Sequence, residues 1–109
     1  MTERPSIRVA LAQLNPTVGD VAGNRDLIVA AYEEAAGAGA DLVVTPELSL
    51  VGYPPRDLLH RGALLDACEA ALSDLGALTD DGPTLVVGTP ERYGGPAVRL
   101  AVSFVPMMG

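Results

Sequence analysis

Four residues of this 109-residue chain have side chains suited to chemistry at the positions they occupy: Glu47, Tyr53, His60 and Cys68. Glu47 follows the apolar run "DLVVT" after a single proline, Pro46. The residue before a proline is pushed out of the helical region and the proline fixes its own φ, so "TPE" leaves a strand on one rigid path and Glu47 is aimed. In open α/β sheets ligands bind beyond the carboxyl ends of the strands. A carboxylate held there and partly withdrawn from water is a candidate general base. An acid at the start of a solvated loop satisfies the same local pattern, and both readings stand at this point.

The other candidates are narrower. Cys68 shares the apolar face of a helical pattern with Leu65, Ala71, Leu72 and Leu75, the usual place of a buried structural thiol. His60, the lone histidine, falls at a helix start or loop and reads as a solvated residue. One cysteine and one histidine cannot assemble a zinc cluster, so no metal site is expected. All seven basic residues are arginines, which removes lysine from the available chemistry. "QLNPTVGDVAGN" has glycines near a helix start but lacks both phosphate-loop glycine patterns, and reads as a turn.

These residues need elements to hold them. "IRVALAQL" (Ile7 to Leu14) reads as a first strand, closed by the turn formers of "NPTVGD". From Asn24, taken as N-cap, Leu27, Ile28, Ala31, Ala35 and Ala38 recur at helical spacing, with Gly37 and Gly39 ending the helix. "DLVVT" is a fully apolar second strand of the kind found in parallel sheets. A second helical pattern runs from about Asp57 to Leu78, "TLVVGTP" is a third strand, and Val98 to Val105 a fourth. The order β-α-β-α-β-β gives an α/β fold with the helices on one face of the sheet. The opposite face is then expected to be apolar and to need a cover.

Composition narrows the function classes. The chain is 49% hydrophobic and 19% charged, which fits a globular domain rather than a disordered one. A net charge of −7 disfavours nucleic acid and anionic membrane as partners. No signal peptide or membrane span is legible, and a single cysteine suits a reducing compartment, so a cytoplasmic protein is expected.

Taken together, "VALAQLNPTVGDVAGN", "PELSLVGYPPRDLL" and "LVVGTPERYGG" resemble the N-terminal part of the carbon-nitrogen hydrolase (nitrilase) superfamily, over about Arg8 to Gly95. Within it the likeness is greatest to the glutamine-hydrolysing domains of glutamine-dependent NAD synthetases, to which "YPPRD" points in particular. The resemblance implies a four-layer α-β-β-α sandwich and a glutamate-lysine-cysteine triad. Glu47 matches the glutamate, the general base, and Tyr53 a tyrosine lining the glutamine pocket. The triad lysine and cysteine have no counterpart here, since lysine is absent and Cys68 is not at the nucleophile's downstream elbow.

The resemblance also implies that residues 1–109 are one part of such a domain, with its remainder and a synthetase domain lying elsewhere. The sequence after Gly95 departs from the family pattern, and a truncated or frame-shifted product is expected. The implied activity of the intact enzyme is hydrolysis of glutamine to supply ammonia for ATP-dependent conversion of deamido-NAD to NAD. No cofactor is expected in this segment, ATP and magnesium belong to the synthetase domain, and the intact enzyme is expected to be a homo-oligomer. A stand-alone amidase of another small amide and a non-catalytic remnant are the alternatives.

Overall fold

The computed structural model describes residues 6–53, 61–92 and 98–105. Strands β1 (Val9–Leu11), β2 (Leu42–Val44), β3 (Thr84–Arg92) and β4 (Val98–Val105) form one sheet in the order β1-β2-β3-β4. The first three are parallel, in the register Val9↔Leu42 and Leu42↔Thr84, and β4 runs antiparallel to β3 from Leu85↔Val105 to Arg92↔Val98. Helices α1 (Val21–Gly37) and α2 (Gly62–Leu78) make the two crossovers. Successive crossovers of the same hand along an unreversed strand order place both helices on one face. Ile28 and Tyr32 of α1, Leu64, Cys68, Ala71 and Leu75 of α2, and Val43, Leu85 and Val87 of the sheet accordingly form a single core cluster.

The expected element order is observed, with the largest shifts of boundary at the first strand and the two helices. The first strand keeps only Val9–Leu11 of the expected Ile7–Leu14. Its ladder is cut short at one end because Asp41 turns its carboxylate to accept from Arg8 N (2.8 Å), a bond a longer strand would give to backbone. Helix α1 begins at Val21, and its N-cap is Asp20 rather than Asn24: the Asp20 carboxylate accepts from Gly23 N at 3.0 Å. The helix ends as expected, with Gly37 its last residue and Gly39 at φ +85° beyond it. Helix α2 starts at Gly62, later than the expected Asp57, and residues 54–60, including His60 and Leu58, lie outside the described residues.

The buried stripe of α1 also differs from the alanine-rich one expected. Val21, Asn24, Ile28 and Tyr32 are buried, whereas Leu27 and Ala38 are exposed and Ala31 and Ala35 half-buried. Leu27 is rotated by about 100° from Ile28, so only one of the two can face the core. The apolar count of the stripe is lower than expected because two polar side chains occupy it, and both are satisfied: the Tyr32 hydroxyl donates to Pro83 O at 2.7 Å. In α2 the expected Leu65, Cys68, Ala71 and Leu75 are buried, joined by Leu64. Arg25 of α1 pairs with Asp74 of α2 at 3.0 Å and with its neighbour Asp26. These pairs are solvent-facing and add little stability.

Among the described residues, the face of the sheet opposite the helices is exposed at its β1 side. Ile7, Val9 and Leu11 lie along it at 69%, 45% and 73% exposure, and Leu42, Val44 and Val86 are half-buried. Among the described residues, no helix is long and apolar enough to cross a membrane.

Candidate active site

The turn after β2 carries Glu47. Thr45 extends the ladder one residue past β2, its N–H donating to Val86 O at 3.1 Å. Its hydroxyl donates to the same carbonyl at 2.9 Å, which leaves the buried Ser49 hydroxyl as donor to Thr45 Oγ1 at 2.8 Å. Pro46 then turns the chain off the sheet, and Glu47 opens a turn that runs to Val51. Leu48 adopts φ +52°, a left-handed conformation that costs a leucine roughly 1–3 kcal/mol. The conformation is held because the Leu48 side chain is buried and its carbonyl accepts from both Val51 N (3.1 Å) and Gly52 N (2.8 Å). Two carbonyl bonds and full burial of a leucine, about 1.5–3 kcal/mol, outweigh the strain.

Two glycines allow this turn to sit so close to its surroundings. A methyl group at Gly88 of β3 would lie 2.6 Å from Leu48 N and 3.3 Å from Pro46 O, so the backbone of Pro46, Glu47 and Leu48 rests directly on the strand. Gly52, at φ +80°, brings the end of the turn against the backbone of Thr17 and Val18; a Cβ there would lie 2.8 Å from Val18 N. Gly19 N completes that contact by donating to Val51 O at 2.8 Å. Behind it, the buried Asn24 carboxamide joins both segments. Its Oδ1 accepts from Thr17 N at 2.8 Å, and its Nδ2 donates to Thr17 O at 2.8 Å and to Leu50 O at 2.9 Å.

The backbone that bears Glu47 is therefore held in place, while the side chain extends from it. It is not partly withdrawn from water: Glu47 is exposed, and so is Tyr53 at 68%, on the same segment at the carboxyl end of the central parallel strand. Cys68 stands apart from them in the core at 1% exposure. Burial pushes its thiol upward, the neighbouring Thr89 side chain opposes this, and the Glu69 charge adds to it. A thiol so placed stays protonated at neutral pH, which agrees with a structural role and with no part as nucleophile. Among the described residues no three His, Cys, Asp or Glu groups come together as a metal site would need.

Sequence reasoning missed four contributors to the turn. Gly88 carried a usable signal, because a lone glycine inside a strand often marks a close backbone approach. Leu48 carried none, since leucine is not a residue that favours positive φ. Thr45 and Ser49 are separated by four residues, but their contact depends on the turn itself. Asn24 was noticed for the wrong reason, as a cap rather than as a buried bridge.

Known proteins with related sequences and folds bear on this arrangement. The carbon-nitrogen hydrolase family model matches residues 8–105. The glutamine-dependent NAD(+) synthetase of Rhodobacter capsulatus is 47% identical over 90 residues, 83% of this chain and 16% of that protein. The structure of the glutamine-dependent NAD+ synthetase from Acinetobacter baumannii superposes on 94% of this chain and 19% of its own, with a TM-score of 0.86 and 27% identity. A mutant amidase of Nesterenkonia sp., with the acetamide moiety of fluoroacetamide added covalently at its active site cysteine, superposes on 94% of this chain and 39% of its own (TM-score 0.80, 30% identity). The chain thus spans about one sixth of the length of the curated relatives it matches. Its sheet with helices on one face is the N-terminal part of the nitrilase-like fold. The β-α-β-α-β-β order, the braced Glu47 turn and a family match over nearly the whole chain lead to one assignment: the chain belongs to the carbon-nitrogen hydrolase family.

Proposed function

We propose that this chain forms the first part of the glutamine-hydrolysing domain of a glutamine-dependent NAD synthetase, with Glu47 as general base and Tyr53 on the wall of the glutamine pocket. The observation that carries the reading is a glutamate whose backbone is seated on Gly88 at the carboxyl end of the central parallel strand. Curated relatives 43–47% identical to the chain are glutamine-dependent NAD(+) synthetases, and the synthetase structure superposes with the higher TM-score, 0.86 against 0.80 for the amidase, which favours a synthetase over a stand-alone amidase.

The chemistry needs a cysteine nucleophile and an oxyanion partner besides the base. In the proposed mechanism Glu47 takes the thiol proton as sulfur attacks the carboxamide carbon of glutamine, and passes it to the departing nitrogen, which leaves as ammonia. Water then attacks the thioester, Glu47 receives its proton and returns it to the thiolate, and glutamate departs. A lysine and a backbone N–H steady the oxyanion in both steps. Neither that lysine nor the nucleophile is in this chain, so the 109 residues alone are inactive and the remaining parts come from outside them. Glutamine is the small-molecule partner, the assembled enzyme is a cytoplasmic homo-oligomer, and ATP and magnesium serve the synthetase domain, where ammonia meets deamido-NAD.

The test is a hybrid in which the matching 90-residue stretch of the Rhodobacter capsulatus synthetase is exchanged for that of this chain. The hybrid should form NAD from glutamine and, independently, from an ammonium salt. Glu47→Gln keeps the side chain's shape and removes its basicity, so glutamine-driven synthesis should fall by at least ~10⁴, the upper end for a general base acting within a triad. Ammonia-driven synthesis should persist. If both activities fall together, Glu47 supports the fold; if neither falls, it is a loop acid.

A further inference from the structure

The best-bonded buried side chain of the described residues outside the Glu47 turn is Asn24, 1% exposed on the first turns of α1. Both of its amide hydrogens are used, and its carbonyl oxygen accepts. The bonds do not close the helix. Two form a reciprocal pair with the backbone of Thr17, in the loop after β1, and the third reaches Leu50 O, three residues beyond Glu47. We propose that Asn24 is a positioning residue for Glu47, holding the turn that carries the carboxylate at a fixed distance from the N-terminal end of α1. The proposal rests on Glu47 being the general base.

A buried helical position facing the core is ordinarily apolar, and a leucine at position 24 would fill similar space. It would leave Thr17 N and the buried Leu50 O without that partner, while Thr17 O keeps its bond from Asp20 N, and an unpaired buried backbone group is costly. The carboxamide is the one short neutral side chain that both donates twice and accepts. Its base is rigid, because Asp20 caps the helix one turn earlier and Asn24 N donates to Asp20 O at 2.8 Å. Its target is strained, because Leu48 sits at φ +52° within the same turn. Strained backbone persists only where its surroundings over-determine it. Gly88 supports the turn from beneath at Pro46 to Leu48, and Asn24 supports it from the side at Leu50. Without Asn24 the turn keeps its floor and the Gly19 N–Val51 O bond at its far end but loses the stop at Leu50, and the segment that bears Glu47 is freer to shift along the sheet edge.

The test has two arms. In the 109-residue chain, amide hydrogen exchange is followed at Val51 and Gly52, whose N–H groups bond Leu48 O, with Leu75 of α2 as the internal reference. Asn24→Ala should raise exchange at the turn by about tenfold or more and leave Leu75 unchanged, as expected of a local opening. In the hybrid synthetase, Asn24→Ala should lower the kcat of the glutamine-driven reaction by about 10²-fold, the cost of misplacing a reacting group by about 1 Å. KM and the ammonia-driven rate should change by less than about threefold, since the loss is confined to the transition state.

Asn24→Asp separates positioning from packing. Ionised, the new side chain still accepts from Thr17 N but sets negative charge against Thr17 O and Leu50 O; protonated, it regains one donor. Its kcat relative to the unaltered hybrid should therefore recover as pH falls, a response that packing alone does not produce. Unchanged exchange at Val51 and Gly52 in Asn24→Ala overturns the proposal. So does equal loss of the glutamine-driven and ammonia-driven rates, or a flat pH ratio for Asn24→Asp. If the unaltered hybrid lacks glutamine-driven activity, or Glu47→Gln retains it, the general-base reading fails instead and the positioning claim falls with it, whatever the exchange arm shows.

Discussion

Replacing Gly88 with alanine is the sharpest perturbation of the Glu47 scaffold, because two effects of opposite sign meet at one atom. In a strand interior alanine is ordinarily favoured over glycine by roughly 0.5–1 kcal/mol, through the smaller entropy lost on folding. Here the added methyl would lie 2.6 Å from Leu48 N, where ordinary contact begins at 3.4 Å, so the turn must lift by about 0.8 Å. The obstruction is backbone on the rigid path after Pro46 and not a movable side-chain tip. Overpacking of this kind costs about 1–3 kcal/mol, which exceeds the entropic gain, so Gly88→Ala should lower the thermal midpoint. The same lift displaces Glu47, and for the general base proposed above a shift near 1 Å costs on the order of 10²-fold in rate. Gly37→Ala is the matched control, since a methyl at that helical position meets nothing within 4 Å and should raise stability by about 0.5–1 kcal/mol. The assay is thermal unfolding of the chain and of both variants, with glutamine-driven and ammonia-driven NAD synthesis by the corresponding hybrids. A Gly88→Ala chain that melts as high as the Gly37→Ala chain would refute the close approach on which the reasoning depends.

Two further outcomes concern the core and the open sheet face. Cys68 has a folded-state pKa raised chiefly by burial, so its contribution to stability is complete below the unfolded thiol value of about 8.5 and is lost as pH rises toward the folded value. Unfolding free energy should therefore decline above that pH with a slope that Cys68→Ala removes, and iodoacetamide should leave the folded chain unmodified at pH 7; rapid alkylation without unfolding would contradict the buried thiol. The face bearing Ile7, Val9 and Leu11 should bind a dye that reports exposed apolar surface, and Leu11→Arg should reduce that binding while circular dichroism stays unchanged. A dye-silent unaltered chain would mean that the face is covered in solution.

Much of the architecture was legible because it is written locally. Short apolar runs separated by glycine and proline clusters gave the β-α-β-α-β-β order, and Pro46 gave the aim of Glu47. The boundaries that moved did so where side chains compete with backbone, at Asp20 for the cap of α1 and at Asp41 for the start of the ladder. Both acids were visible in the sequence, but the choice of Asp20 over Asn24 depends on where Asn24 is wanted. Its partner Leu50 is 26 residues away and comes into reach only when α1 packs beside the turn after β2. Once that bond exists, Asn24 cannot also cap the helix, and the cap falls to the next suitable residue upstream. The same dependence governs Leu48, whose positive φ follows from the fixed points around it, namely Gly88 below, Asn24 at the side and Pro46 at the entrance. The sequence marks Glu47, because one proline directs the backbone that bears it. It does not name what holds the carboxylate still, because that is a property of four segments meeting, each unremarkable by itself.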